Sequence, residues 1–364
     1  MSLVQKLHTG KIDLIGDIHG EIDALLNLMK HLGYDENGNH PDDRKMVFVG
    51  DLCDRGPDTP AVLKVVKKLV ENGNAQMVLG NHELNLLQGK AKDGSGWYFQ
   101  EREIKDKNYE PFVRINNHDR EDLLDFVSSL PIVLENEDLR VVHAAWLSDK
   151  VEMIRNYPLG SAGDTYNRLE KEVDESITSS GLLAAYRHEQ EIWGDAQEDP
   201  TYEDIPFLEN TSKYNLAHQM NNPIRVLTSG VEQRCEVPFF AGGKWRFVER
   251  YTWWDRYDEE KPVVVGHFWR KLNEEPIHHA KDENVFEGIA PFEWHGKKNN
   301  VFCVDFSVGG RFKERLKGNV GENTCLVALR WPENTLMLEN GEEVLTEKFK
   351  EENTQTKKIK IKWE

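Results

Sequence analysis

Cysteine is scarce in this sequence. Its four residues, Cys53, Cys235, Cys303 and Cys325, form no Cys-x-x-Cys pair, which argues against a disulfide framework or a thiolate zinc site and for reduced thiols in a cytoplasmic protein. Long apolar runs are lacking too. None approaches the roughly 18 residues of a membrane helix, and the opening MSLVQKLHTGKIDL has no signal-peptide apolar region. Positive charge is in deficit, with Lys plus Arg 46 against Asp plus Glu 64 and a net charge of -18. Such a surface repels the phosphates of a long nucleic acid, so neither a membrane nor a polymer is the expected partner, and an anionic substrate needs a local site. The chain contains no internal repeat and no GxxxxGK(S/T) phosphate loop.

What is present is core-forming material, 38% hydrophobic and 10% aromatic in 364 residues. That length implies one elaborated domain or a domain carrying an insert. Short apolar runs ending in polar residues recur: IDLIGD at Ile12, MVFVGD at Met46, QMVLGNH at Gln76, LRVVHAA at Leu139, PVVVGH at Pro262 and VFCVDF at Val301. Their length and β-branched content read as buried strands. Between the first three, Ile22, Leu25, Leu26, Met29 and Leu32, then Val62, Val65, Val66 and Leu69, follow helical spacing. The alternation predicts an α/β core.

From Val151 to Tyr257 the texture changes. Strand-like runs vanish, acidic and aromatic residues mix, and SGLLAAYRHEQEIW reads as helical. The expected division is a core of residues 1–150 and 258–345, a mainly helical insert or cap at 151–257, and a charged tail at 346–364.

The strand ends carry the chemistry. They present Asp17 and His19 in GDIHG, Asp51, Asp54 and Arg55 in GDLCDRG, Asn81 and His82 in GNHE, His143 in VVHAAW and His267 in VVVGHFW. A single such aspartate is commonly a helix cap, and a single histidine a satisfied core residue. As a set, carboxylate and amide oxygens mixed with imidazole nitrogens suit a first-row divalent cation with open positions for water and substrate. Gly16, Gly50, Gly80 and Gly266 each precede one of these residues, allowing a close backbone approach, and Gly20 and Gly56 fit the same loops. Cys53 reads as a small buried filler.

In this order, GDIHG, GDLCDRG and GNHE followed by two separated histidines resemble the calcineurin-like metallophosphoesterases, in the branch of phosphoprotein phosphatases and diadenosine tetraphosphatases. The stretches HPDDRKMVFVGDLCDRGPDTPAVLKVV, RYTWWDRY, VVVGH, VDFSVGGRF and LVALRWPE are similar to the phosphatase module of bacterial polynucleotide kinase-phosphatase. The resemblance implies a β-sandwich core flanked by helices and two divalent ions, Mn²⁺ foremost, with Fe or Zn compatible. Asp17 and His19 would hold the first ion, Asn81, His143 and His267 the second, and Asp51 would bridge them. The i, i+2 spacing of Asp17 and His19 fits, because alternate residues of an extended end point the same way. After His267 the chain reads FWR where many wider relatives have GHxH, consistent with this branch.

The resemblance further implies that Arg55 clamps phosphate oxygens. It makes His82 the general acid, with Asp54 holding its tautomer, and sets Asp305 near the metals as an indirect, water-mediated partner. Arg187, Arg225, Arg250 and Arg270 are alternatives for a second clamp, Arg250 being favoured by its match. His278 and His279 read as a solvated pair, and Trp193, Trp253, Trp254 and Trp269 mostly as core. The implied activity is hydrolysis of a phosphate ester or anhydride by a metal-bound hydroxide, with a small nucleotide such as a dinucleoside polyphosphate favoured. A serine/threonine phosphoprotein phosphatase and an RNA-end 2',3'-cyclic phosphodiesterase or phosphatase are the enzyme alternatives. An inactive binding module of the same fold is the alternative of another class.

Overall fold

The computed structural model describes residues 1–202, 205–272 and 285–347. His278, His279 and residues 348–364 of the expected tail lie outside the described residues. In chain order the first half holds β1 (Val4–Lys6), β2 (Ile12–Ile15), α1 (Ile22–Leu32), β3 (Lys45–Phe48), α2 (Thr59–Glu71), β4 (Ala75–Met77), α3 (Asn81–Leu87), α4 (Asn117–Ser128), β5 (Val133–Glu135) and β6 (Arg140–Val142). The helices α5 (Ser148–Ile154), α6 (Ala162–Ser179), α7 (Leu182–Gln197), α8 (Glu209–Asn221) and α9 (Pro223–Ser229) follow, then the strands β7 (Val231–Ala241) and β8 (Lys244–Tyr251). The chain returns through β9 (Val263–Val265), β10 (Val301–Cys303), α10 (Arg311–Lys317), β11 (Val327–Trp331), β12 (Thr335–Leu338) and β13 (Glu343–Leu345). All six apolar runs singled out above are strands.

Two sheets face each other, one ordered β1-β5-β6-β9-β10 and the other β13-β12-β11-β2-β3-β4. Side chains alternate across a strand, so each run serves two interiors. Ile12, Leu14 and Val47 from one sheet meet Val141, Val264 and Phe302 from the other in the layer between them. Ile15, Met46 and Phe48 point outward, where Leu25, Leu28 and Met29 of α1 and Val62, Val66 and Leu69 of α2 cover them. Burial on both faces explains why these strands read as unbroken apolar runs. Local signals set the helix ends. The Asp58 side chain accepts from the Ala61 amide at 2.9 Å to start α2, and Gly33, at φ 95°, ends α1.

Between β6 and β9 the sequence suggested no strands, yet β7 and β8 form an antiparallel ribbon turned by Gly242 and Gly243, at φ 58° and 79°. The correction has a physical reason. The ribbon is half exposed, so VEQRCEVPFFA carries charges where a buried strand carries Val or Ile, and its pairing shifts register around Pro238, which cannot donate to the ladder. No helix among the described residues is long and apolar enough to cross a membrane.

Within the second sheet β2, β3 and β4 run parallel, and in the first β6, β9 and β10 do. Their carboxyl ends therefore carry Asp17, Asp51, Asn81, His143, His267 and Asp305 to the same edge of the sandwich.

Candidate active site

At this edge the backbone takes up conformations that side chains ordinarily avoid. His19, Asp51, Asp54, Arg55 and His267 have φ of 46°, 51°, 74°, 69° and 67°. Each such residue costs about 1–3 kcal/mol and persists only where its surroundings enforce it. Two glycines show how tight the fit is: a Cβ on Gly80 would lie 2.1 Å from Asp51 Oδ1, and one on Gly266 would lie 2.1 Å from Asp17 Oδ1.

Glu83, which the sequence reading passed over inside GNHE, braces the Asp51 loop. It is wholly buried. Its carboxylate accepts the amides of Asp51 at 2.8 Å, Leu52 at 2.8 Å and Gly80 at 3.0 Å, and the Cys53 thiol at 3.2 Å. The Cys53 carbonyl in turn accepts His19 Nδ1–H at 2.9 Å, and the Val49 carbonyl accepts His143 Nδ1–H at 2.8 Å. His19, whose pKa burial lowers, thereby keeps an Nε2 lone pair for the interior, and His143 turns Nε2 the same way, the nitrogen left to ligate a metal once it is deprotonated.

Around Asp51 the groups converge. Its Oδ2 is 3.3 Å from His143 Nε2 and 3.9 Å from both His19 Nε2 and His82 Nε2. Asn81 Oδ1 lies 2.9 Å from His267 Nδ1 and 3.3 Å from His143 Nε2. Two groups have ligand atoms mutually within 4.8 Å, His19, Asp51 and His82, and Asp51, His143 and His267. Asp51 belongs to both. Asp17 stands beside them, its carboxylate accepting the His267 amide at 3.1 Å.

The cluster is overloaded with negative charge. Asp17, Asp51, Asp54, Glu83 and Asp305 are each exposed by 3% or less. Burial, then the charges of Asp305 and Asp51, push the Asp17 carboxyl far above its ordinary range. Burial raises Asp305 to about 6, and its Oδ2 has no hydrogen-bond partner among the described residues. Burial also opposes ionisation of Asp51, but the His143 and His82 imidazoles outweigh it and hold that pKa down. Buried carboxylates, one with an oxygen unpaired among the described residues, beside the imidazoles of His19 and His267 that burial holds neutral, are a fit for divalent cations.

His82 donates Nδ1–H to Asp54 Oδ2 at 2.6 Å, and the other Asp54 oxygen takes Trp97 Nε1–H, also at 2.6 Å. Trp97 carried no sequence signal, because it reaches Asp54 from a separate loop. Arg55 lies half-buried at the rim, 3.5 Å from His19 Nε2 and 5.2 Å from the centre of the Trp269 ring. Arg250 is exposed over Phe268, near enough that its charge, after burial, depresses the His267 pKa. Arg270 is instead core. Its guanidinium donates to the carbonyls of Ala290, Glu293 and Cys303. Arg187 is exposed on α7, while Arg225 lines a cavity next to Asn81. Trp253 and Trp254 are buried as expected.

A family model for calcineurin-like phosphoesterases matches residues 10–202. The asymmetrical bis(5'-nucleosyl)-tetraphosphatase PrpE of Geobacillus sp. is 51% identical over 75 residues, 20% of this chain, so the chain spans only 31% of that relative's length. The symmetrical bis(5'-nucleosyl)-tetraphosphatase of Vibrio parahaemolyticus is 26% identical over 261 residues, covering 71% of this chain and 84% of that one. Among solved structures, the cold-active protein-tyrosine phosphatase of a psychrophile Shewanella sp. aligns over 95% of this chain and 83% of its own, at 17% identity and a TM-score of 0.46.

Proposed function

The chain belongs to the calcineurin-like phosphoesterase family, and from that premise we propose that it is a dinuclear-metal-dependent phosphoesterase whose preferred substrate is a small nucleotide, a dinucleoside polyphosphate above all. The observation that carries this reading is the convergence of His19, His143, His267 and Asn81 on the Asp51 carboxylate within a buried acidic cluster. The names of the tetraphosphatase relatives and the acidic surface, which disfavours polymers, support the substrate class.

In this reading Asp17 and His19 would hold one cation, Asn81, His143 and His267 would hold the other, and the Asp51 carboxylate would be shared between them. Bound divalent ions supply Lewis-acid stabilisation of the phosphoryl oxygens and a nucleophile at neutral pH. Arg55 and Arg250, on the rim, bind the remaining phosphate oxygens, the former as a planar bidentate donor held against Trp269. His82 faces the cluster with Nε2 and is fixed by Asp54. Burial disfavours its charged form, but the Asp51 and Asp54 carboxylates overcome this and raise its pKa, so it keeps a proton to give to the departing oxygen. Asp305 acts on the cluster indirectly, as a buried negative charge.

Hydrolysis of p-nitrophenyl phosphate with Mn²⁺ and without metal tests the reaction class. No turnover with Mn²⁺, Fe²⁺ or Zn²⁺ would leave the inactive binding module. A panel of diadenosine tetraphosphate, a 2',3'-cyclic nucleotide, a phosphopeptide and 3'-phosphorylated RNA tests the substrate. The dinucleotide is expected to have the highest kcat/KM, and preferential turnover of the phosphopeptide or RNA overturns that choice.

A further inference from the structure

Next to the carboxylate and imidazole cluster lies a cavity of about 270 Å³, bounded by α3 on the core side and by α6, α8 and α9 on the other. Asn81 belongs to both places, since it lines the cavity and also touches His267. From Asn81 to Gln88 the cavity wall follows α3 for roughly 10 Å, at 1.5 Å per residue. The volume is below the ~300–1,000 Å³ of typical ligand pockets, and the exposed lining is almost wholly polar. A nucleobase wants an apolar or aromatic face, and the aromatic ring in this lining, Tyr166, already carries Lys90 over it.

Its charge is distinctive. Lys90, Lys92 and Arg225 line it, and no Asp or Glu does among the described residues, in a chain of net charge -18. Arg225 is held in place, donating Nε–H to the Tyr166 hydroxyl at 2.6 Å and one Nη to Glu170 at 2.5 Å, while its other Nη has no hydrogen-bond partner among the described residues. Lys90 sits over the Tyr166 ring, 5.3 Å from its centre. Lys90 is exposed, but partial desolvation by the wall and then the Arg225 charge lower its pKa, with Lys92 adding to the effect. Glu170 partly offsets these cations but is already shared with Asn222 and His218. The Gln88 side-chain oxygen is buried on the same wall with no hydrogen-bond partner among the described residues. Cations that repel one another in a polar recess are relieved by an anion with several oxygens.

We infer that this cavity is a second phosphate subsite, which receives phosphate groups of the substrate beyond the one being cleaved and so selects a polyphosphate chain over a monoester. The inference rests on the phosphoesterase reading for the position of the cleaved phosphate. It also gives the helices between β6 and β9 a task, since they supply Tyr166 and Arg225.

The test separates the subsite from the reaction. Binding of inorganic tripolyphosphate to the metal-free protein is measured by calorimetry, where the acidic cluster repels the probe and the cavity attracts it. Lys90 and Lys92 are exposed, so K90A/K92A is not expected to disturb folding. It should weaken binding by about tenfold or more, and R225Q should do the same. In the Mn²⁺-loaded protein, K90A/K92A should lower kcat/KM for diadenosine tetraphosphate about tenfold more than for p-nitrophenyl phosphate, mainly through KM. Absence of tripolyphosphate binding, equal binding by K90A/K92A, or equal losses on both esters would refute the subsite. Lysine-dependent binding without turnover of either ester would sustain it as an anion site while refuting the phosphoesterase reading.

Discussion

His82 and Asp54 form a 2.6 Å hydrogen bond in an interior that leaves the two side chains only 8% and 4% exposed, and Trp97 occupies the carboxylate oxygen that the imidazole leaves free. The proton on Nδ1 is thus fixed and Nε2 is the end that faces the cluster. If His82 is the general acid, its loss should matter most where the departing oxygen is strongly basic. His82→Ala should depress hydrolysis of an alkyl phosphate by about 10² to 10⁴ and of p-nitrophenyl phosphate by clearly less. Asp54→Asn should show the same bias in milder form. Equal losses on both substrates, at unchanged metal content, would assign this histidine to the metals or the phosphate instead.

Asp51 stands in both candidate groups, and an amide cannot share a negative charge between two cations. Asp51→Asn should therefore lose both ions together and with them all activity. Elemental analysis finding two tightly held metals per chain would remove the bridge from the account.

Glu83 has its two oxygens on amide donors from both sides of the Asp51 turn. In Glu83→Gln one of those amides would face an NH₂ group, leaving buried donors opposed. Destabilisation of the metal-free protein by roughly 2–4 kcal/mol in denaturant is expected, together with weaker metal binding. A change under about 0.5 kcal/mol would mean that the strained turn holds without this brace.

Asp305 has a folded pKa of about 6, against 3.8 for the ordinary carboxyl. A raised carboxyl pKa takes stability away as pH climbs from the unfolded value to the folded one, and nothing below that window. Asp305→Asn should accordingly stabilise the metal-free protein above pH 6, by up to about 3 kcal/mol, and have no such effect at pH 4. Thermal unfolding at the two pH values checks this, and an equal change at both would show that the charge of Asp305 is not its source.

Metal binding should release protons. Burial alone would lower the His143 pKa, but the Asp51 carboxylate raises it, and Asp17 also retains its proton unusually high. Both must give it up to ligate. Calorimetric titration with Mn²⁺ in two buffers of different ionisation enthalpy should give different heats, and an apparent affinity that falls as pH is lowered. Identical heats would mean that these groups enter binding already deprotonated.

Much of this molecule was legible in one sequence because the signals were local. An apolar run ending in Gly-Asp or Gly-His states both a strand buried on two faces and a polar loop at its end, as Ile12–Ile15 and Val263–Val265 do. The order of GDIHG, GDLCDRG and GNHE was enough to bring Asp17, His19, Asp51, Asn81, His82, His143 and His267 together as candidates. The half-exposed ribbon of β7 and β8 was hidden, since a solvated strand has no buried run to display. Tertiary structure decided what depends on packing at long range. It put Trp97 on Asp54 from another loop, set Glu83 beneath the Asp51 turn, buried Arg270 in the core, and brought Arg225 across the chain to Lys90. Burial and pKa belong to that level as well, because desolvation and the charge of a neighbour are properties of assembled space, and no residue carries them in its name.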